Sequence, residues 1–266
     1  MKTLVISYWY GRLGNNINQV KNALHIALYG NYNINMPSHP YFKCRELNVS
    51  QNIENAPIEY IYGNECYEFY SDNLVTFVNK ECFSMNYEKV REILMNLFVI
   101  DYKTLEPLGQ DELVIHIRSG DIVSHEIHPE YIIPPLSYYT KYIESSQYKK
   151  IYIMAEDMHN TCIEVLKNKY NHINFELRCL TEDISLVLRA RNIMMTIGSF
   201  VPALLWVTNN TKNIIYPSYD MFIYRAIPLK EYSNIEFNSI DLTEYHKLVK
   251  SSNDDNRARL ARSLSM

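Results

Sequence analysis

Three short segments of this 266-residue chain combine residue types and spacings suited to holding an anion or moving a proton. The first is His116-Ile117-Arg118-Ser119-Gly120-Asp121. Arginine offers a planar fork of donors that matches phosphate or carboxylate oxygens, and a glycine two residues on lets the backbone come close to a ligand or turn sharply. His116 and Asp121 are side chains able to take up a proton. The same residues also fit an internal ion pair between Arg118 and Asp121 at a strand end, so type and spacing alone leave both readings open.

The second segment, Gly11-Arg12-Leu13-Gly14-Asn15, lies between a β-rich stretch and a helical one. A helix amino end favours anions, although a tight turn capped by Asn15 or Asn16 explains the glycines equally well. It is neither GxGxxG nor a Walker loop, which sets aside a dinucleotide or P-loop reading. The third, Thr196-Ile197-Gly198-Ser199-Phe200, again leads from strand into helix, and Ser199 is either a phosphate contact or a helix cap with Pro202 in the first turn. Glu156-Asp157 follows an apolar run and suits acceptance of hydrogen bonds from a base or ribose, or stabilisation of a helix start. His125-Glu126-Ile127-His128 has metal-capable side chains, but the nearby Pro129, Pro134 and Pro135 make this a loop rather than a ligand-aligning helix, so no metal is expected.

These segments need elements to position them. Leu4 to Trp9 reads as a strand, and Ile17, Val20, Leu24, Ala27 and Leu28 repeat at helical spacing behind the glycine turn. Residues 31–107 carry short strand-like pieces, Tyr60–Tyr62 and Leu74–Val78, and a helix near 86–98. From Glu112 the pattern is regular, with strands at Leu113–Ile117, Ile151–Met154, Ile173–Leu177, Ile193–Ile197 and Asn213–Tyr216. Helices at 136–147, 159–169, 182–190 and 200–208 alternate with them. Such alternation predicts an α/β chain with a parallel, doubly wound sheet that presents ligands at the carboxyl ends of its strands. The domain boundary is expected near Pro107–Gln110, giving domains 1–108 and 109–250 with a polar tail at 251–266.

Composition narrows the partners. Hydrophobic residues at 47% and charged residues at 21% describe a folding globular chain, and a net charge of -4 offers no basic field for nucleic acid. Five cysteines without a CxxC pair read as free thiols. No apolar run approaches the roughly 20 residues of a membrane span, and the short run after Met1-Lys2 reads as a first strand rather than a signal peptide. The chain is therefore expected to be soluble and cytoplasmic, with the sequons at Asn48 and Asn209 occurring by chance. The 23 tyrosines are too dispersed for a base-stacking code.

With these loops located, the sequence resembles the α-1,2-fucosyltransferase family and, more remotely, the protein O-fucosyltransferases and α-1,6-fucosyltransferases. Gly11 to Asn15 followed by Gln19 is similar to the family's GRLGNQ motif, His116 to Asp121 to HxRRGD, and Glu182-Asp183-Ile184 through Ser199-Phe200 to the EDL…NSSFSWWAA region. The resemblance implies a GT-B fold, two Rossmann-like domains with parallel sheets facing across a cleft, the first acceptor-side and the second binding a nucleotide sugar. It implies an inverting glycosyltransferase of glycan biosynthesis that moves fucose from GDP-fucose to a glycan hydroxyl without metal or other cofactor. Residue by residue, it places Arg118 on the donor phosphates, His116 and Asp121 beside it, Asn15 at the reacting sugar, and Ser199 with Phe200 on the nucleotide; Arg12, Gly14, Gly198, Glu156 and Asp157 complete the expected donor site. Ser119 stands where the motif has a second arginine, and Val201-Pro202 where it has a tryptophan pair. These departures leave open another donor, UDP-xylose or a GDP- or UDP-rhamnose, and a non-catalytic nucleotide- or glycan-binding protein.

Overall fold

The apolar run at the start of the chain becomes the centre of a small sheet. In the computed structural model, which describes residues 2–49, 59–62, 86–123, 131–219, 223, 226–230 and 234–250, β1 (Lys2–Val5) lies between β2 (Asn33–Asn35) and β4 (Glu59–Tyr62), parallel to both. β3 (Glu46–Leu47) is added antiparallel to β2. Only residues 36–45 join those two strands, too short a link for the crossover that parallel pairing needs. The strand expected to reach Trp9 stops at Val5; Ile6 still donates its N–H to Asn35 O at 2.8 Å, and then the chain turns away.

α1 (Leu13–Gly30) buries almost every residue from Leu13 to Ala27, including the predicted stripe of Ile17, Val20, Leu24 and Ala27. It ends where Asn31 adopts a left-handed φ of 58° and donates its N–H to Ala27 O, a polar residue accepting a conformation that β-branched residues avoid. α2 (Tyr87–Leu97) buries Val90, Leu94 and Leu97, and with them the charged Arg91. Contacts divide the chain into two compact units, Met1–Thr104 with Pro202–Thr208, and Leu105–Val201 with Asn209–Met266. Two features explain why Pro202–Thr208 belongs to the first. Trp206, fully buried, meets the rings of Tyr87 and His25 at 5.8 and 6.1 Å, and Arg91 Nη2 donates to Leu205 O at 3.4 Å and to Thr208 O. Burial lowers the Arg91 pKa to about 10, so the guanidinium stays charged at neutral pH and those carbonyls satisfy part of it.

Among the described residues the second unit holds six strands: β5 (Glu112–His116), β6 (Lys150–Met154), β7 (Ile173–Phe175), β8 (Asn192–Met194), β9 (Asn213–Pro217) and β10 (Glu236–Ile240). Every neighbouring pair is parallel, in the order β10-β9-β8-β5-β6-β7. The connections include α3 (Leu136–Ser145), α4 (Cys162–Lys169), α5 (Leu180–Arg189) and α6 (Phe200–Leu204), and α7 (Thr243–Lys250) follows β10. Leu113, Ile115, Ile151, Ile153, Met194 and Ile215 from the strands and Tyr138, Tyr139, Ile163 and Leu166 from the helices form one core. β7 and β8 are shorter than the sequence pattern predicts. The expected helix at 200–208 stops at Leu204 and gives way to a 3-10 turn over Leu205–Val207. β10 was not anticipated because Glu236-Phe237-Asn238-Ser239-Ile240 is largely polar and exposed, as befits an edge strand. The expected strand at Leu74–Val78 and the tail at 251–266 lie outside the described residues. Among the described residues no helix is long and apolar enough to cross a membrane.

The strand order reverses between β5 and β8: β6 and β7 extend the sheet one way from β5, β9 and β10 the other way from β8. At such a switch point neighbouring connections leave on opposite faces and a crevice opens at the carboxyl edge. Because Arg91 ties α2 to the Leu205–Thr208 carbonyls, Arg91→Met should lower the stability of the protein by about 2–3 kcal/mol, the scale of hydrogen bonds to a charged group. Urea denaturation followed by circular dichroism checks this, and an unchanged midpoint would show that the two carbonyls find water instead.

Candidate functional site

The loops after β8, β5 and β6 emerge side by side because those strands are neighbours. Ile117 extends the ladder past β5, its N–H donating to Met154 O at 2.8 Å, and Arg118 N–H then donates to Thr196 Oγ1 at 2.9 Å. That hydroxyl, itself buried, ties the loop after β5 to the loop after β8. Asn160 fixes the other side. Its Nδ2 donates to Arg118 O at 3.0 Å and its Oδ1 accepts Cys162 N–H at 3.1 Å, so one buried amide links the Arg118 backbone to the start of α4. The Arg118 backbone is thus held at both its N–H and its C=O, and its half-buried side chain departs from a rigid base.

Ser119 and Gly120 are gathered by Asp157. Ser119 Oγ donates to Asp157 Oδ1 and accepts the Asn160 N–H at 3.1 Å, and the N–H groups of Gly120 and His159 reach the same oxygen at 3.4 and 2.9 Å. His159 Nδ1 lies 3.0 Å from Asp157 Oδ2. Burial alone would raise the carboxyl pKa, but the Ser119 hydroxyl, the His159 N–H and ring and the Gly120 N–H together hold it below the usual carboxylate range. Gly120 has φ +67°, and a Cβ there would stand 2.7 Å from Glu156 Oε2. Glu156 itself is exposed and belongs to the same loop cluster.

His116 is 7% exposed at the end of β5, and among the described residues its Nδ1 has no hydrogen-bond partner. Burial, assisted by the neighbouring positive charge of Arg118, lowers its pKa to about 3, so the imidazole is neutral at physiological pH. Its ring lies 6.2 Å from that of Phe200. Gly198 has φ +130°, and among the described residues nothing stands within 4 Å of where a Cβ would be, which leaves open space beside Ser199. The structure therefore brings His116, Arg118, Gly120, Glu156, Asp157, Gly198, Ser199 and Phe200 to one edge of one sheet. Asp121 lies in the 3-10 turn Gly120–Val123 with its side chain outside what is described, as is the whole of His125–His128. Among the described residues no group of three or more His, Cys, Asp and Glu side chains is placed to hold a metal ion.

Arg12, Gly14 and Asn15 form a second group, in the first unit. The turn is Gly11-Arg12, with Gly11 at φ +66° and Arg12 extended, and the helix starts at Leu13, so Gly14 and Asn15 are already helical. Neither Asn15 nor Asn16 is the N-cap; that position is Arg12, whose carbonyl accepts the N–H groups of Asn15 and Asn16 at 2.9 and 3.1 Å. A Cβ on Gly11 would collide with the Asn15 amide, which lies over the turn.

Sequence reading missed the anchoring by Asn160 and Thr196. The Asn160-Thr161-Cys162 run ahead of a helix was the available signal for the first, since asparagine caps and turns in this way; Thr196 opens the third segment, but nothing local marked its hydroxyl as the partner of Arg118. It also gave Asp183 no separate role. Asp183 sits in the first turn of α5, at the carboxyl edge beyond β7. Burial raises its pKa to about 6 against the opposing pull of Arg178, and its Oδ1 is buried with no partner among the described residues. Arg178 in turn donates from Nη1 to Ile153 O at 3.1 Å, which places this pair beside β6.

No family model matches the chain, and no curated protein matches it. Among solved structures, one of NodZ alpha-1,6-fucosyltransferase soaked with GDP-fucose is 8% identical, with a TM-score of 0.37 over 85% of this chain and 92% of the other. One of POFUT1 in complex with GDP-fucose is 10% identical, with a TM-score of 0.41 over 91% of this chain and 98% of the other.

Two outcomes follow from the site's geometry. Gly120→Ala should lose about 1–2 kcal/mol of stability, the scale of forcing a side-chain-bearing residue into the left-handed region, which chemical denaturation measures. His116 stays neutral when folded, so the unfolded chain binds a proton that the folded one refuses between the ordinary histidine value of 6.5 and about 3. Its contribution is whole above that window and is lost as pH falls through it. Wild-type stability should fall with acid across this range more steeply than that of His116→Gln, and matching slopes would count against a buried neutral imidazole.

Proposed function

We propose that the chain is an inverting, metal-independent glycosyltransferase of GT-B type, transferring a sugar from a nucleoside diphosphate donor, fucose from GDP-fucose, to a glycan hydroxyl. One observation carries the reading: Arg118 and the Gly198-Ser199 backbone lie in the loops that follow adjacent strands at the switch point of a doubly wound sheet, with open space over Gly198 among the described residues. Motif order and spacing in the sequence supply the chemistry. Breaking the bond between sugar and diphosphate builds negative charge on the leaving oxygen, and donors fixed before the reaction begins stabilise that charge without reorganising. Arg118 is such a donor, its backbone held by Thr196 and Asn160. Neutral His116, with its pKa lowered to about 3, is a poor proton acceptor.

The acceptor hydroxyl loses its proton as it attacks, and Asp121 is assigned as the base. Asp183 is assigned to the donor's base. It lies two strands from β5, about 10 Å across the sheet at the usual strand spacing, a separation on the scale of a nucleoside diphosphate. An acceptor-only carboxylate there suits the adjacent N–H donors that guanine presents and uracil does not. Asp157 acts differently: its oxygens are engaged by Ser119, Gly120 and His159, so it positions the Arg118 loop.

Arg118→Ala should lower turnover about 10²- to 10³-fold, the loss typical of a removed oxyanion donor, with circular dichroism and melting temperature unchanged; near-normal transfer would remove the assignment. GDP should raise the melting temperature more than UDP or dTDP at equal concentration, because only a ligand that binds the folded state stabilises it. Equal shifts for all three would leave guanine without support. Asp121→Asn should abolish the acid-side dependence of the rate on pH, the limb on which a general base is protonated, and an unaltered profile would dismiss Asp121 as the base.

A further inference from the structure

The first unit carries a rigid aromatic surface that donor chemistry does not use. Tyr8, Trp9 and Tyr10 follow one another between β1 and α1. Gln19, fully buried on α1, holds this backbone at two points: its Nε2 donates to Tyr8 O at 3.1 Å and its Oε1 accepts Tyr10 N–H at 2.9 Å. Asn16, also buried, donates from Nδ2 to Tyr10 O at 3.0 Å, and its Oδ1 lies 3.3 Å from His39 Nε2. His39 Nδ1 accepts the N–H of Tyr41 at 3.2 Å, so the ring is the neutral Nε2–H tautomer with both nitrogens engaged. Trp9 rests on this frame. Its indole N–H donates to Ser38 O at 3.2 Å, and its ring packs edge-on against His39 at 4.9 Å and tilted against Phe42 at 5.5 Å. Yet Trp9 is only half-buried, and Tyr8 keeps 40% of its surface exposed.

Two buried amides and an indole hydrogen bond thus hold a half-exposed tryptophan against an uncharged histidine. A ring fixed in advance loses little conformational entropy on binding, and an uncharged aromatic face suits an apolar ligand surface over an ionic one. A sugar ring presents that surface as a patch of C–H groups, with hydroxyls around its rim. The platform runs directly through Gly11 into Arg12 and Asn15, which can serve those hydroxyls. We propose that Trp9, seated on His39 and Phe42 with Tyr8 beside it, is the stacking platform for a neutral sugar ring of the acceptor glycan. This rests on the glycosyl-transfer reading and names what its acceptor must present.

The chain has two tryptophans, and Trp206 is fully buried, so Trp206→Phe leaves Trp9 as a single optical probe. The test uses the full chain against an array of immobilised neutral glycans. Wild-type protein should bind a subset of them, Trp9→Ala should weaken that binding at least tenfold, and Trp9→Phe should retain most of it. A bound glycan, added free to the Trp206→Phe protein, should protect Trp9 from acrylamide quenching. Wild type binding no array glycan, Trp9→Ala binding as wild type does, or Trp9 remaining as quenchable with glycan as without would each overturn the platform. GDP-induced thermal shifts, recorded on wild type and variants, separate the two ideas. No shift in wild type overturns the transferase reading, whereas a full shift together with a failed glycan test overturns the platform alone.

Discussion

The Asp157 carboxylate is the interaction on which the candidate site depends. It collects the hydroxyl of Ser119 and the N–H groups of Gly120 and His159 onto one oxygen, and so holds the loop after β5 against the loop after β6. An anion that accepts several hydrogen bonds stays ionised and does not let its donors drift. Asn160 and Thr196 add two further ties, to the C=O and N–H of Arg118. A long, flexible arginine is useful as a fixed donor only if its root is immobile, and three polar side chains from two neighbouring loops make it so.

The first unit solves the same problem with uncharged groups. Gln19 and Asn16, buried within α1, take the place of a sheet ladder for the Tyr8–Tyr10 backbone, which explains why β1 ends at Val5 although β-prone residues continue to Tyr10. Buried amides left unpaired are expensive, and here their partners are the backbone groups of a loop. A stretch that composition alone would make a strand becomes a shaped turn presenting aromatic side chains.

Electrostatics at the sheet edge follow from burial. His116 is kept neutral by its surroundings and by Arg118, while Asp183 is pushed toward the neutral form by partial burial. Two groups of opposite type at the carboxyl edge of one sheet are thus each shifted against their charged form. Such opposed shifts beside an open backbone distinguish this edge from the amino-terminal edge, where Lys149 and Asp111 form an exposed pair with no consequence beyond the surface.

The alternation from Leu113 onward by itself determined a parallel doubly wound sheet, because strands covered on both faces must be apolar along their length and helices between them must repeat at helical spacing. Residue type and position likewise singled out Arg118, Gly120 and Ser199, since strand ends are where such a sheet offers ligands. Tertiary structure decided what those residues touch. Arg118 finds Asn160 and Thr196, and Ser119 finds Asp157, across sequence separations of 42, 78 and 38; no local pattern encodes such pairings. β10 was invisible because an edge strand needs little apolar surface, and Pro202–Thr208 joined the first unit because Trp206 meets Tyr87 and His25, and Arg91 the Leu205 and Thr208 carbonyls, only once the chain has folded. Local periodicity follows from which face must leave water, whereas side-chain partnership depends on strand order, and strand order is a property of the assembled sheet.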